Sequence, residues 1–109
     1  MADVEVKTDG TGIFITLKGD FDIEKASELH RIVLDATQKY DVVNIDLAEV
    51  GRVDLSFFQI VCSLYKEAVR EGKKLVFDPI PTKIMTKAEK MGFTEEYTGG
   101  YFWKGEVNA

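Results

Sequence analysis

The sequence predicts a single α/β domain, a mixed β-sheet with helices packed on it in the order β-β-α-β-α-β-α. Three observations predict it. Two alternating runs, residues 4–8 and 13–17, flank Asp9-Gly10-Thr11-Gly12, whose glycines supply the positive φ of a hairpin turn. Two short apolar runs, residues 42–47 and 74–77, read as largely buried strands. Helical periodicity follows the second, third and fourth strands. A length of 109 residues supports one core rather than two. That core is expected over about residues 4–92, with an aromatic tail at 93–109.

In chain order, residues 4–8 are expected to form a half-buried strand antiparallel to residues 13–17. Gly19-Asp20-Phe21-Asp22 then reads as a turn, with Asp22 as N-cap of a helix over Ile23–Lys39. Ala26, Leu29, Ile32, Val33 and Ala36 fall on one face of that helix. The central strand, residues 42–47, leads through a polar connection, residues 48–53, to a helix over about residues 56–71 that stops at Gly72. Lys74-Leu75-Val76-Phe77 is a following parallel strand. Thr82 is a candidate cap for a third helix with Ile84, Ala88 and Met91 on its apolar face, ended by Gly92, and Phe93 is expected to pack back onto that end. Tyr101-Phe102-Trp103 reads as a possible last edge strand.

Composition narrows the function. Nineteen acidic residues against fourteen basic ones give a net charge of -5, which argues against a nucleic-acid or anionic-membrane surface. The lone Cys62 fits a reducing compartment. The acidic N-terminus carries no signal-peptide pattern and no apolar run approaches a bilayer span, so the expectation is a cytoplasmic protein. A catalytic role is not expected. His30 is the only histidine and stands on a charged helix, no Cys/His cluster has metal-ligand spacing, and no base is evident for a serine nucleophile. No cofactor is indicated, and oligomeric state is left open.

The most informative stretch is Val53-Asp54-Leu55-Ser56, where a strand opens into a helix. Ser56-Phe57-Phe58-Gln59 matches an S-x-x-Q capping box, with Asp54 as the alternative cap. A hydroxyl at a helix N-terminus is also a place where a phosphoryl group is tolerated by the free amides and the positive end of the dipole. If the strands before the two corners run parallel, Asp20, Asp22, Asp46 and Asp54 converge near Ser56. On the helix, Phe57, Ile60, Val61, Leu64 and Ala68 form the core stripe, and Phe58, Cys62, Tyr65 and Val69 its edge. That edge is either covered by a neighbour or offered to a partner.

These residues resemble a STAS domain of the anti-sigma factor antagonist family. Gly19-Asp20-Phe21-Asp22 is similar to the family's G-x-[LF]-D before the first helix, and Val43-Asn44-Ile45-Asp46-Leu47 to its central strand. Val53-Asp54-Leu55-Ser56 falls at its D-[ST]-[SA]-G signature, and Gly72-Lys73-Lys74-Leu75 and Met91-Gly92-Phe93 match later positions. The resemblance implies a partner-switching protein that binds an anti-sigma factor acting as a serine kinase and is reset by a phosphatase. By position it implies phosphorylation at Ser56, with Asp20, Asp22, Asp54, Leu55, Phe57 and Phe58 around the site. Leu55 replaces a small hydroxyl residue and Phe57 a glycine, so Phe57 is expected to crowd an approaching kinase. The alternatives are a non-phosphorylated scaffold in a signalling or transport complex, and a small-ligand sensor.

Overall fold

A computed structural model of the chain describes residues 3–10 and 12–93. The strands are β1 (Asp3–Asp9), β2 (Gly12–Phe21), β3 (Val42–Val53) and β4 (Lys74–Phe77), and the helices α1 (Ile23–Lys39), α2 (Leu55–Arg70) and α3 (Thr82–Lys90). The strands form one sheet in the order β1-β2-β3-β4. β1 and β2 are antiparallel, while β2, β3 and β4 run parallel. This is the predicted mixed α/β fold. The possible strand at Tyr101-Phe102-Trp103 lies outside the described residues.

Alternation places Ile13, Ile15 and Leu17 of β2 and Val43, Ile45 and Leu47 of β3 on the face that the helices cover, and all six are buried. α1 and α2 lie against that face and against each other. From α1 the core receives Leu29, Val33 and Ala36; from α2 it receives Phe57, Phe58, Val61 and Leu64. Aromatic rings tie the helices to the sheet, with Phe21 and Phe57 centred 6.0 Å apart and Tyr65 and Phe77 5.2 Å apart. Ile80 and Ile84 are also buried.

The largest departure from expectation is the length of the two central strands. Residues 48–53 are strand, not a polar connection, and Gly19-Asp20-Phe21 continues β2 instead of turning the chain. The pairing runs Thr16↔Asp46, Lys18↔Glu49, Gly19↔Val50 and Phe21↔Val53, so β3 takes one extra residue twice, at two β-bulges. Each bulge breaks the two-residue alternation. The inward positions of β3 step from Leu47 to Val50 to Val53, three residues at a time, and all three are buried. A bulge also leaves a backbone amide without its ladder partner, and a carboxylate takes each one. Asp46 accepts from the Ala48 N–H at 2.8 Å, and Asp20 accepts from the Arg52 N–H at 2.7 Å.

Three smaller expectations are corrected. β1 is almost wholly exposed rather than half-buried, because it is an edge strand beyond the reach of the helices; only Val4 is partly covered. Thr82 is the first residue of α3 rather than its cap; the cap position is Pro81, which makes no side-chain bond. Met91 is exposed at the C-cap instead of lying on the apolar face. α2 and α3 end alike. Gly72 and Gly92 adopt φ of 70° and 89°, and the residue after each donates its N–H back to Ala68 and Ala88 respectively, at 2.8 Å in both cases. Phe93 thereby folds under α3 and lies 5.7 Å from Phe58, as expected of it. No helix among the described residues is long and apolar enough to cross a membrane.

Candidate functional site at the paired helix openings

Because β2 and β3 are parallel and Phe21 pairs with Val53, the chain leaves the sheet twice at neighbouring points on one edge. Both exits have the same construction: a buried apolar residue, an aspartate in extended conformation, then an exposed aliphatic residue at the first helical position. Asp22 caps α1, its Oδ1 accepting from the Lys25 N–H at 3.1 Å. Asp54 caps α2, its Oδ1 accepting from the Ser56 N–H at 3.0 Å. Carboxylates suit both places because a helix N-terminus presents unpaired N–H groups and the positive end of the dipole.

Asp54 rather than Ser56 is therefore the cap of α2, and the capping box is overturned. Asp54 has φ -118° and ψ -174°, outside the helix, while Ser56 is already its second residue. This frees the Ser56 hydroxyl from backbone duty. It donates instead to Asp54 Oδ1, which thus holds both the amide and the hydroxyl of one residue. Ser56 is half-buried and Asp54 exposed, so the hydroxyl sits at the rim of the surface. The first turn of α2 contains no acidic residue.

The remaining site candidates separate into those the fold brings together and those it does not. Asp20 stands at the same edge, with its carboxylate on the Arg52 amide of β3. Gly51 makes room for it: a Cβ there would sit 2.5 Å from Asp20 Oδ1. Leu55 is 46% exposed and faces outward beside Ser56. Asp46 does not join them. It lies mid-strand opposite Thr16 and is occupied at the first bulge. Phe57 and Phe58 do not present a surface either. Both are fully buried, with ring centres 5.6 Å apart, so Phe57 points into the core and does not obstruct an approach to Ser56. The edge of α2 is covered at Phe58, Cys62 and Tyr65 and open at Val69. Burial pushes the Cys62 thiol up to about 11.

Sequence reasoning missed Ile23. It is 64% exposed at the first position of α1, the counterpart of Leu55. The signal was present in the parallel between Phe21-Asp22-Ile23 and Val53-Asp54-Leu55. Among the described residues no group of three or more His, Cys, Asp and Glu is placed to hold a metal ion. What the corner brings together is an aliphatic pair, Ile23 and Leu55, three carboxylates and one hydroxyl at a helix opening.

Comparison with known proteins places this geometry. A family model described as "Mlab, STAS domain" matches residues 4–98. A sequence search of curated proteins found no match. Among solved structures, the Bacillus cell fate determinant SpoIIAA in its phosphorylated form is 14% identical with a TM-score of 0.68, covering 98% of this chain and 92% of that one. An anti-sigma factor antagonist from Mycobacterium paratuberculosis is also 14% identical with a TM-score of 0.68, over 98% of this chain and 85% of that one. A structure described as Mglu is 20% identical with a TM-score of 0.66, but this chain spans only 20% of its length. At these identities the structures establish a shared fold.

Proposed function

This chain belongs to the STAS domain family, and we propose that it works as a single-domain, cytoplasmic protein-interaction switch of the anti-sigma factor antagonist kind. Its partners in this reading are an anti-sigma factor that doubles as a serine kinase and a phosphatase that resets it. The docking surface is the paired helix opening with Leu55, Asp20, Asp22 and Asp54, and the phosphoacceptor is Ser56. The role is recognition rather than catalysis. The observation that carries the reading is the Ser56 hydroxyl at the second position of α2, bonded to a side chain rather than spent as the helix cap.

Phosphoryl transfer breaks the β–γ phosphoanhydride bond of a nucleoside triphosphate and forms a bond from Ser56 Oγ to the γ-phosphorus; the diphosphate leaves, and the hydroxyl proton passes through Asp54 Oδ1, which already accepts its hydrogen bond, to solvent. The hydrogen bond to Asp54 is lost with that proton. In its place stand about two negative charges beside a carboxylate. The helix amides tolerate the new charge while the neighbouring surface is repelled, so a partner seated on Leu55 and the carboxylates is dislodged without unfolding the domain. Two of the similar structures support the reading: one is described as an anti-sigma factor antagonist and another as a phosphorylated form.

The deciding experiment is the intact mass of the protein isolated from its native host, beside a Ser56→Ala variant. The switch predicts a species heavier by one phosphoryl group in the wild type and absent in the variant. A second reading, constitutive docking as a scaffold, draws on the Asp54–Ser56 hydrogen bond as a purely structural lock. It predicts no such species under any growth condition and partner capture unaffected by Ser56→Ala.

A further inference from the structure

The hairpin that opens the sheet is closed by the pair Asp9↔Gly12, and its turn begins at Gly10 with φ 55°. Both Asp9 and Gly10 are exposed, and no atom beyond the chain neighbours lies within 4 Å of where a Cβ on residue 10 would stand. That dipeptide sets Asp9 apart from every other aspartate of the chain. Asp20, Asp22, Asp46 and Asp54 each hold a backbone N–H through a carboxylate oxygen. Asp35 and Asp41 pair with lysines at 3.3 and 3.1 Å. Asp3 is followed by a β-branched valine that screens the next amide, and Asp78 by a proline, which has no N–H. The Asp9 carboxylate has no hydrogen bond or ion pair among the described residues, and the amide after it belongs to the one residue type without a side chain.

We propose that Asp9 is a site of spontaneous backbone isomerisation, at which the folded protein converts aspartate to isoaspartate through a succinimide. The Gly10 nitrogen forms a bond to Cγ of Asp9; the bond from Cγ to its hydroxyl breaks, and that hydroxyl leaves with the amide proton as water. A water from solvent then opens the five-membered ring. Addition at Cγ breaks its bond to nitrogen and restores aspartate. Addition at the Asp9 backbone carbonyl breaks the other C–N bond, so the chain runs through Cβ and Cγ and the carboxylate stands on Cα. Nothing is oxidised or reduced, and water is the sole co-reactant. The ring closes only when the side chain turns onto the next amide. A Cβ on residue 10 would crowd that approach, and a carboxylate already held elsewhere would not make it. Asp9 is also the last residue of β1, beside the tip of the loop, where local opening costs least.

The product changes the hairpin and little else. Isoaspartate adds one carbon to the backbone between β1 and the turn, so residue 9 no longer meets Gly12 in register. The ladder then loosens from the turn inward, through Thr8↔Ile13 and Lys7↔Phe14. β1 is an edge strand whose one partly buried residue, Val4, stands at the far end from the turn. The helices and the central strands therefore keep their packing. The outcome is a chain with its core intact and its first strand frayed, a mark of age that needs no enzyme to write it. The inference is independent of Ser56 and of any partner.

The test is to hold the full chain, folded, at neutral pH in the warm for several weeks, beside the same chain in urea, and to map both by peptide chromatography and mass. Trypsin cuts after Lys7 and Lys18 and releases residues 8–18, in which Asp9 is the sole aspartate. From the folded chain this peptide should develop a second peak of unchanged mass that grows with time. That peak should accept a methyl group from S-adenosylmethionine in the presence of L-isoaspartyl methyltransferase. Asp9→Glu should lose the peak, because its ring would need six members, and Asp9→Asn should form it faster, because its amide expels ammonia. Amide exchange on the modified chain should show β1 unprotected and α2 unchanged. A second peak that arises in urea and not in the folded chain overturns the proposal, since the hairpin then shields Asp9. So does its absence from both, or isoaspartate that appears first at another aspartate.

Discussion

The two helix openings are built alike and finished differently. At the first, the Asp22 carboxylate reaches the amide of the third helical residue, and Glu24 adds a second acid to the turn. At the second, Asp54 reaches only the second residue, shares its oxygen with the Ser56 hydroxyl, and the turn contains no further acid. Both dipoles need negative charge at this end. α1 has it built in; α2 is left with room for one more anion, at a position that carries a hydroxyl. Identical capping physics therefore yields a finished structural corner and a corner that a modification can complete. The family reading of Ser56 acquires a physical reason from that contrast.

The contrast is sharpest between side chains two positions apart on α2. Phe57→Ala removes a fully buried ring from between Phe21 and Phe58 and should cost about 3–5 kcal/mol in urea unfolding. Leu55→Ala, exposed one turn-face away, should stay within about 0.5 kcal/mol of wild type yet abolish partner capture. A large stability loss in the Leu55 variant would mean that the residue is structural and the corner not a docking surface.

A second difference lies beneath the openings, where Gly51 admits the Asp20 carboxylate. Gly51→Ala places a methyl group on that carboxylate and should destabilise by about 1–3 kcal/mol. In an Asp20→Ala background the same substitution should cost much less, because the clash is gone. Equal costs in both backgrounds would show that the close approach does not matter.

Much of this was legible in the sequence. The hairpin between β1 and β2, the span and cap of α1, the glycine stops of α2 and α3 and the placement of Phe93 all follow local rules that the fold obeys, although of the two turn glycines only Gly10 takes a positive φ and Gly12 already opens β2. The far half of β3 was not legible, because two bulges replace alternation by steps of three, and a strand that changes period reads as a loop. The cap of α2 was left between Ser56 and Asp54 for a related reason. Ser56-x-x-Gln59 satisfies the capping pattern, but the strand runs on to Val53 and so delivers Asp54, not Ser56, to the non-helical position. Phe57, read as part of the core stripe, is buried as that stripe requires, and Phe58 of its edge is buried with it. Ser56 stood out in the sequence by its position alone; that its hydroxyl is bonded to Asp54 was visible only in the structure.

The caps themselves should differ measurably. Asp22→Ala should cost about 1 kcal/mol, the ordinary value of a lost N-cap. Asp54→Ala should cost more, up to about 2 kcal/mol, since it strips both the amide and the hydroxyl of Ser56. Ser56→Ala should then destabilise the wild type but be nearly neutral in the Asp54→Ala background, a coupling that a double-mutant cycle reads directly. Additive costs would mean that the hydroxyl draws nothing from Asp54.

The smallest effect bears on the dipole argument itself. If α2 lacks an anion that α1 has, the two helices should respond in opposite senses to one acid. Glu24→Gln removes charge from the first turn of α1 and should lower stability by about 0.3–1 kcal/mol. Leu55→Glu adds charge at the first position of α2 and should raise it by a similar amount, a gain that Leu55→Gln should not reproduce. Both shifts should shrink as salt is raised through about 1 M, where screening is short-ranged. A destabilising Leu55→Glu would mean that Asp54 already saturates the dipole, and that a phosphate on Ser56 acts by repelling its own carboxylate rather than by completing the helix end.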